Sequence, residues 1–315
     1  MNAKPFLKWA GGKGQLLQQL EPLFPEELKK GRIRRYVEPF VGAGAVLFRV
    51  LQQFKPEQAC LSDVNPDLVQ AYRVVRRRCD ELIDVLTEYQ RRYAETPAEN
   101  RNDLFLEIRA EYNAEAAHTP CGACGANDVR RTARLIFLNK TCFNGLFRLN
   151  AKGGFNVPFG GYESPAICDA ENLKAAGRLL AQTEIECGDF SLSEKWADDD
   201  SFFYFDPPYR PLSATSSFTT YAGSNFTEAD QVRLARFFAK LDREKGVKAM
   251  ASNSYSQDGT PNDDFYGKHY GPFHKHIVFA RRAINSKGEK RGKIAEIVIT
   301  NYPKHEAQRA MEFNF

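Results

Sequence analysis

A carboxylate and an aromatic ring follow directly on a strongly apolar run in the middle of the sequence. Residues 201–205 read SFFYF, and Asp206, Pro207, Pro208 and Tyr209 come next. The prolines fix φ, so the predicted strand cannot continue and the local carbonyls take a set direction. Asp206 and the Pro207 carbonyl could then accept both hydrogens of an exocyclic amino group, while Tyr209 stacks on its ring. Taken alone, the four residues also fit a strand that ends on a helix-capping Asp.

A glycine turn and a second acid occupy similar places earlier in the chain. The sequence FVGAG at 40–44 follows a predicted strand and opens a predicted helix, where a ligand can approach the backbone. A lone GxG also fits a tight turn made for packing. Asp63 ends the next predicted strand, where an acid can bind ribose hydroxyls. Since no GxxxxGK[ST] loop is present, the two features together favour an adenosine-like ligand without a pyrophosphate.

The elements that must position these residues alternate between strand and helix. Residues 35–48 and 59–72 each read as a strand followed by a helix, which predicts a parallel sheet. Strand patterns return after about residue 183, with a helix opened by Thr227 and closed by Gly246. Helical periodicity and then a glycine-rich stretch fill the interval. The predicted organisation is an α/β domain of residues 1–66 and 171–315, interrupted by a mostly helical insertion at 67–170.

Composition excludes several classes of protein. The 315 residues are 43% hydrophobic and 27% charged, which is ordinary for a soluble globular chain. No apolar run reaches the roughly 18 residues of a membrane span, and the N-terminus lacks a secretory pattern, so the expected location is the cytoplasm. The seven scattered cysteines predict reduced thiols. Cys121 and Cys124 form a lone CxxC without a second pair, which favours two free thiols over a metal site and leaves the role of their loop open.

Basic residues cluster twice, although the net charge is only +4. Between Asp128 and Glu163 those two acids face six bases, and between 281 and 293 six bases face Glu289 alone. Aromatic residues and glycines interleave with the first cluster, a mixture suited to phosphate and groove contacts. Either cluster alone also fits a solvated surface.

Seven motifs occur in an order that resembles the Dam-type N6-adenine DNA methyltransferases. They are KWAGGK (8–13), EPFVGAG (38–44), SDVN (62–65), NGLFRLNAKGGFNVPFGGY (144–162), GDF (188–190), DPPY (206–209) and EIVITNY (296–302). The resemblance covers nearly the whole chain and is nearest to the Dam and DpnM branch of the D12 class. It implies a Rossmann-like, S-adenosylmethionine-dependent methyltransferase sheet, with the inserted domain at 67–170 as a DNA-binding target-recognition domain.

The resemblance also implies which residues bind the cofactor and the target base. The base pocket would use Asp206, Pro207 and Tyr209, with no metal. The cofactor residues implied by similarity are Trp9, Lys13, Phe40, Gly42, Gly44, Asp63, Asp189, Phe190 and Asp206. Methyl transfer from a sulfonium needs alignment more than a strong base, which agrees with this set. A base inside a duplex cannot enter such a pocket, so the adenine must be flipped out, with Tyr209 as its stacking platform.

The recognition region carries the residues that Dam-type enzymes use on GATC, which makes double-stranded GATC the expected substrate. Arg148 suits guanine O6 and N7, and Leu146 and Pro158 suit a thymine methyl group. Phe143 replaces a tyrosine of the family, so stacking is kept and a hydroxyl contact is lost. The full set of expected DNA-binding residues is Lys8, Phe143, Asn144, Leu146, Arg148, Pro158, Tyr162, Lys290 and Arg291. The last two lie in a basic hairpin expected to contact phosphates.

Two other interpretations stay open at this point. An N4-cytosine or RNA amino-methyltransferase could use the same amine-binding geometry, although DPPY and the recognition motif argue against it. A DNA-binding module without catalysis is a second alternative, disfavoured by the intact motif residues. We expect a monomer or a weak dimer, and the sequence does not distinguish a restriction-modification role from a solitary or mobile-element role.

Overall fold

A single sheet of seven strands forms the centre of the computed structural model, which describes residues 2–115, 124–210, 226–255, 264–281 and 293–304. The strands are β1 Arg35–Glu38, β2 Gln58–Asp63, β3 Thr183–Cys187, β4 Ser201–Phe205, β5 Lys248–Ser254, β6 His274–Arg281 and β7 Lys293–Thr300. Their order is β3-β2-β1-β4-β5-β7-β6. Strands β1 to β5 pair in parallel, and β7 runs antiparallel between β5 and β6. The predicted α/β methyltransferase-type sheet is confirmed.

Helices cover both faces of this sheet. They are α1 Leu17–Leu20, α2 Glu26–Lys29, α3 Ala45–Gln53, α4 Pro66–Arg77, α5 Cys79–Glu95, α6 Arg101–Ala114, α7 Ala126–Thr141, α8 Ala170–Leu180, α9 Glu228–Lys245 and α10 Phe265–Tyr270. Side chains alternate between the faces of a strand. On β4, therefore, Phe202 and Tyr204 pack in the core that contains α3, α4 and α8, whereas Phe203 and Phe205 pack with α9 and α10.

Short-range sequence signals define where several helices begin and end. The Asn65 side chain accepts a hydrogen bond from the Leu68 amide, and Pro66 stands at the first position of α4. Thr227 and Asp230 form a reciprocal capping box at the start of α9, and Gly246 ends that helix at φ 64°. The predicted start and end of α9 at Thr227 and Gly246 are confirmed.

The helices α5 to α7 form a second layer that is tied to α4 through a buried ion pair. Arg131 on α7 donates to both carboxylate oxygens of Asp67, at 2.7 and 3.0 Å, and Tyr112 adds a third donor at 2.7 Å. Arg134 pairs with Glu111 and Glu115 at 2.8 and 2.6 Å. Two bases of the first predicted cluster therefore make internal contacts and do not form part of an open basic surface.

The chain changes direction across the sheet between β1 and β4. From β1 it moves outward to β2 and β3, then returns to add β4 and β5 on the other side. In sheets of this kind the crevice beyond the carboxyl ends of the central strands is the usual ligand site. The loops that follow β1, β2, β3 and β4 all open at that edge, and they carry the predicted functional motifs.

Some features hold only for the described residues. Within those ranges no helix is long and apolar enough to cross a membrane, and no group of three His, Cys, Asp or Glu side chains could hold a metal ion. The six described cysteines are free. Cys121, Lys290 and Arg291, which the sequence analysis singled out, lie outside the described residues.

Candidate active site

The loop between β1 and α3 is shaped by two glycines with positive φ. Gly42 has φ 48° and Gly44 has φ 73°, conformations that favour glycine. A Cβ atom on Gly44 would lie 2.5 Å from the Tyr72 hydroxyl, which itself donates to the Gly42 carbonyl at 3.0 Å. Position 44 therefore has no room for a side chain beside the Tyr72 hydroxyl.

Asp63 links this loop to the end of β2. Its carboxylate accepts hydrogen bonds from the Gly42 amide at 3.2 Å and the Asn65 amide at 2.9 Å. Burial raises the pKa of Asp63 to about 6, and the backbone donors offset part of that increase. The neighbouring Val64 side chain is 44% exposed, beside the half-buried Asp63. The end of β2 thus offers a carboxylate next to open apolar surface.

Trp9 lies against the same loop from the N-terminal segment. A Cβ atom on Gly42 would lie 3.2 Å from Trp9 Cδ1. On its other side the indole stacks on Phe147, with ring centroids 5.0 Å apart and planes 23° from parallel. Trp9 therefore joins the loop after β1 to the irregular segment that follows α7.

Asp206 is anchored through one of its two carboxylate oxygens. Lys13 Nζ lies 2.7 Å from Oδ1, and the Ser252 hydroxyl donates to the same atom at 3.0 Å. Among the described residues, no donor contacts Oδ2 or the Pro207 carbonyl. Burial raises the pKa of Asp206, and Lys13 opposes that increase. Two acceptors at the end of β4 are thus without a donor from the described part of the chain.

The backbone after Pro207 is held from behind by buried amide side chains. Gln231 on α9 donates to the Pro208 carbonyl at 2.8 Å, and Asn253 on β5 donates to Gln231 at 3.0 Å. Asn253 in turn accepts from the Arg210 amide at 3.0 Å. Because both amide side chains are buried and paired, this turn has a fixed backbone.

Tyr209 is held at both the edge and the face of its ring. Its hydroxyl donates to Glu296 on β7, and Lys13 Nζ lies 4.6 Å from the ring centroid. Lys13 also donates to the Gly11 carbonyl at 2.7 Å and is almost fully buried. One ammonium group therefore contacts both the carboxylate and the aromatic ring of the DPPY motif.

Asp189, after β3, is engaged in a bidentate ion pair. Arg233 on α9 donates to both of its oxygens at 2.7 Å. This arginine and the Ser191 donors hold the pKa of Asp189 down at about 2, so the carboxylate stays charged. Phe190 is buried and packs on Phe40 with ring centroids 5.5 Å apart. The predicted cofactor residues Phe40 and Phe190 are therefore neighbours.

The expected DNA-contacting residues gather around the turn after α7. The Asn144 amide donates to the Tyr162 hydroxyl at 3.1 Å, and Lys8 Nζ lies 5.4 Å from the Tyr162 ring centroid. Asn139, which is 1% exposed, joins the two segments by donating to the Lys8 and Gly145 carbonyls, each at 2.9 Å. Sequence positions more than a hundred residues apart thus form one surface.

The other four described residues of this set lie on the adjoining irregular hairpin. Arg148 is exposed and donates to the Asn156 side chain at 2.7 Å and its carbonyl at 3.2 Å. Phe143 is 51% exposed, and its amide donates to the Pro158 carbonyl at 2.9 Å. Leu146 is half-buried beside them. An exposed guanidinium and an exposed phenyl ring therefore project from one hairpin.

Comparison with known proteins identifies the family of this chain. Residues 9–285 match the model of the D12 class N6 adenine-specific DNA methyltransferases. The chain belongs to this family. It is therefore an adenine-specific DNA methyltransferase, as the motif order predicted, and its substrate is DNA.

Individual relatives align over nearly their whole length. The chain is 47% identical over 303 residues to the Type II methyltransferase M.MjaIII of Methanocaldococcus jannaschii, covering 96% of this chain and 100% of that protein. It is 38% identical to the Type II methyltransferase M1.LlaDCHI of Lactococcus lactis subsp. cremoris, with 96% of each chain covered. The DNA adenine methylase of Escherichia coli K12 is 34% identical, with 95% and 96% covered.

Several residues of this candidate site were not predicted from the sequence. Ser252 and Glu296 contact the DPPY motif, Arg233 pairs with Asp189, and Asn139 joins the two parts of the recognition surface. Two of them had a visible signal. Glu296 is a charged residue in the apolar run IAEIVIT, and Asn139 is a polar residue in LIFLNKT. Such residues need a buried partner, and the partner is here part of the site.

Proposed function

We propose that this enzyme transfers a methyl group from S-adenosylmethionine to the N6 amino group of an adenine flipped out of GATC. The observation that carries the proposal is the state of Asp206, whose Oδ1 is anchored by Lys13 and Ser252. Its Oδ2 and the Pro207 carbonyl have no donor among the described residues. Two acceptors on a fixed turn match the two hydrogens of an exocyclic amine.

These acceptors would make the amine more reactive. The lone pair of adenine N6 is delocalised into the ring, and hydrogen bonds to Asp206 and Pro207 favour a more tetrahedral nitrogen. Tyr209 would hold the flipped base by stacking on it. Removing the base from the duplex costs about a few kcal/mol of unstacking free energy. When bound, S-adenosylmethionine supplies an electrophilic methyl group on its sulfonium. The contribution of this chain is alignment of the amine.

The residues present fit this cofactor. The glycine loop brings backbone close to the N-terminus of α3, Asp63 provides a carboxylate for hydroxyl groups, and exposed Val64 provides apolar surface for a purine. The side chains and loops that we propose to hold it are Trp9, Lys13, Phe40, Gly42, Gly44, Asp63, Asp189, Phe190 and Asp206. Because Asp189 stays charged, it can only accept hydrogen bonds, which suits an amino group and disfavours a carbonyl.

Cofactor affinity is expected to fall as the pH drops through about 6, the pKa of Asp63. Protonation removes an acceptor, and a hydrogen bond to a charged group is worth about 1.5–3 kcal/mol. Asp63→Asn should therefore bind about 10- to 100-fold more weakly at neutral pH and should lose the pH dependence. Isothermal titration with S-adenosylmethionine, without DNA, measures both. A wild-type Kd that does not change across this pH range would contradict the role of Asp63.

We further propose that residues 67–170 form the target-recognition domain and residues 1–66 and 171–315 the catalytic domain. Support comes from the exposed hairpin after α7, which carries Arg148 and Phe143 and is joined to the N-terminal segment through Asn139. The proposed DNA-contacting residues are Lys8, Phe143, Asn144, Leu146, Arg148, Pro158 and Tyr162. Lys290 and Arg291, outside the described residues, stay predicted phosphate contacts.

Arg148→Ala is expected to relax the choice of base at one guanine of the site. A bidentate arginine contact to guanine contributes about 1–3 kcal/mol of discrimination, so kcat/KM on GATC should fall about 10- to 100-fold. On a duplex with that guanine replaced, the variant and the wild type should differ little. Arg91→Ala, which removes an exposed arginine paired with Glu88 and Glu95 on α5, is the control. Equal losses on both duplexes would assign Arg148 to phosphate contact.

The proposed function is tested by methyl transfer to a matched set of duplexes. Labelled S-adenosylmethionine should methylate a GATC duplex and leave duplexes with any one of the four bases replaced nearly unlabelled. DNA from a methylation-free host that expresses the chain should resist GATC cutters that are blocked by adenine methylation. A 2-aminopurine at the target position should fluoresce more strongly on binding if the base is flipped. Protection at another sequence would overturn GATC while leaving the amine chemistry intact.

A further inference from the structure

A carboxylate on β7, which is separated from β4 by one strand, reaches the proposed base pocket. Glu296 pairs in register with Ser254, the last residue of β5, and with Val278 on β6. Because β7 runs antiparallel to β5, its beginning lies at the edge where the parallel strands end. Glu296 therefore stands beside the loop after β4, although ninety residues separate it from Asp206 in the sequence.

This carboxylate is buried and has one hydrogen-bond donor among the described side chains. Glu296 is 8% exposed and accepts from the Tyr209 hydroxyl. The charged groups that face it are Lys13 on the N-terminal segment and Asp206 after β4. Burial raises the pKa of Glu296, while Lys13 and the Tyr209 hydroxyl oppose the increase. A buried charge is costly, and an apolar residue at this place in a strand would stabilise the fold at least as well.

The hydrogen bond fixes the orientation of the Tyr209 ring. At its backbone end the ring is attached to a turn that Gln231 holds through the Pro208 carbonyl. At its hydroxyl end Glu296 is the second fixed point, and Lys13 Nζ lies 4.6 Å from the ring centroid. The hydroxyl oxygen lies on the χ2 axis, so these two ends fix the direction of that axis. Because a phenol O–H lies in the plane of its ring, an acceptor at a fixed place also favours one ring plane, and Lys13 packs against its face.

We propose that Glu296 is a positioning residue of the base pocket, which acts on the flipped adenine by holding the plane of the Tyr209 ring. The inference rests on the proposed function, in which Tyr209 is the stacking platform. Asp206 and the Pro207 carbonyl fix the amine, and Tyr209 fixes the ring that bears it. A ring free to tilt would let the amine leave its line of attack, and small misplacements of this kind reduce rates strongly.

The test is a double-mutant cycle between Glu296 and Tyr209, read in single-turnover methylation of a GATC duplex. Tyr209→Phe keeps the stacking ring and removes only the donor, and Glu296→Ala removes the acceptor. Each is expected to slow methyl transfer about tenfold with the cofactor Kd unchanged, and the double variant should be no slower than either. Glu296→Gln keeps an acceptor oxygen and should recover most of the rate. Flipping reported by 2-aminopurine should weaken in the same variants.

Glu184→Ala is the matched control. Glu184 accepts from the Trp196 indole at 2.9 Å, so it also holds an aromatic ring through one carboxylate, but on β3 at the sheet border. Its rate should stay within about twofold of wild type. Additive effects of the two substitutions in the double-mutant cycle would overturn the proposal. If Glu296→Ala fails to fold, a wild-type rate for Tyr209→Phe would overturn it by itself. Full activity of Asp206→Ala would instead overturn the proposed function itself.

Discussion

Asp206→Ala is expected to slow methyl transfer by about 10³-fold or more while leaving a folded protein that binds DNA. The variant loses Oδ2, which has no donor among the described residues, and also the anchor that Lys13 and Ser252 provide at Oδ1. Removing one preorganised polar contact to the reacting centre typically costs about 10²- to 10³-fold, and the amine here also loses its alignment. The Pro207 carbonyl alone can accept only one of the two amino hydrogens.

The rate should be measured in single turnover with saturating enzyme, so that product release does not mask the chemical step. Asp198→Ala is the matched control, because Asp198 lies just before the other end of β4 and pairs there with Arg35. It removes an ion-paired aspartate from the opposite edge of the same sheet. A similar loss in both variants would mean that Asp206 supports the fold and does not hold the amine.

Local sequence signals predicted much of the fold because they act over a few residues. The Thr227 capping box and the Gly246 terminus of α9 each depend on neighbours within one helical turn. The apolar runs before Asp63 and Asp206 likewise predicted two strands and the acids at their ends. What these signals cannot specify is which strands become neighbours. The placement of β7 between β5 and β6 depends on pairings across the whole chain, and the sequence analysis did not predict it.

The same distinction explains which parts of the candidate site were predicted. Asp63, Asp206 and the glycine loop each lie in a contiguous motif, so residue type and spacing were enough. Ser252 and Glu296 reach Asp206 and Tyr209 only because β5 lies beside β4, and β7 beside β5, in the folded sheet. Arg131 shows the opposite error, because a basic residue in a basic stretch proved to be buried against Asp67. A charged residue in the sequence does not show whether its side chain will face solvent or a buried partner in the fold.

Lys13→Met is expected to slow methyl transfer about 10²-fold at neutral pH and to move the acidic limb of the pH profile upward. In the proposed mechanism Asp206 must be ionised for Oδ2 to accept a hydrogen bond from the amine while Oδ1 stays anchored by Lys13 and Ser252. Its pKa is raised by burial and lowered by Lys13. A neighbouring positive charge favours the ionised carboxyl, so losing the ammonium should raise the pKa of Asp206 further and move the acidic limb to higher pH.

The stability of this variant should also depend on pH, with a defined sign. The folded variant holds a proton on Asp206 at pH values where the unfolded chain, with its ordinary pKa of 3.8, has released it. Since the folded state then binds more protons, the free energy of unfolding falls as the pH rises from about 4 toward the raised pKa. Denaturant unfolding at a series of pH values measures this slope, which should be steeper than in the wild type.

Lys13→Arg separates charge from shape at this position. The guanidinium keeps the positive charge, so the acidic limb should stay near its wild-type place, but it is too large for a site that is 3% exposed. The rate should therefore fall without the shift in pH that Lys13→Met shows. If both variants shift the limb equally, the ammonium does not set the ionisation of Asp206. If neither variant changes rate or limb, Lys13 contributes only to packing beneath Tyr209, and the carboxylate is held by Ser252 alone.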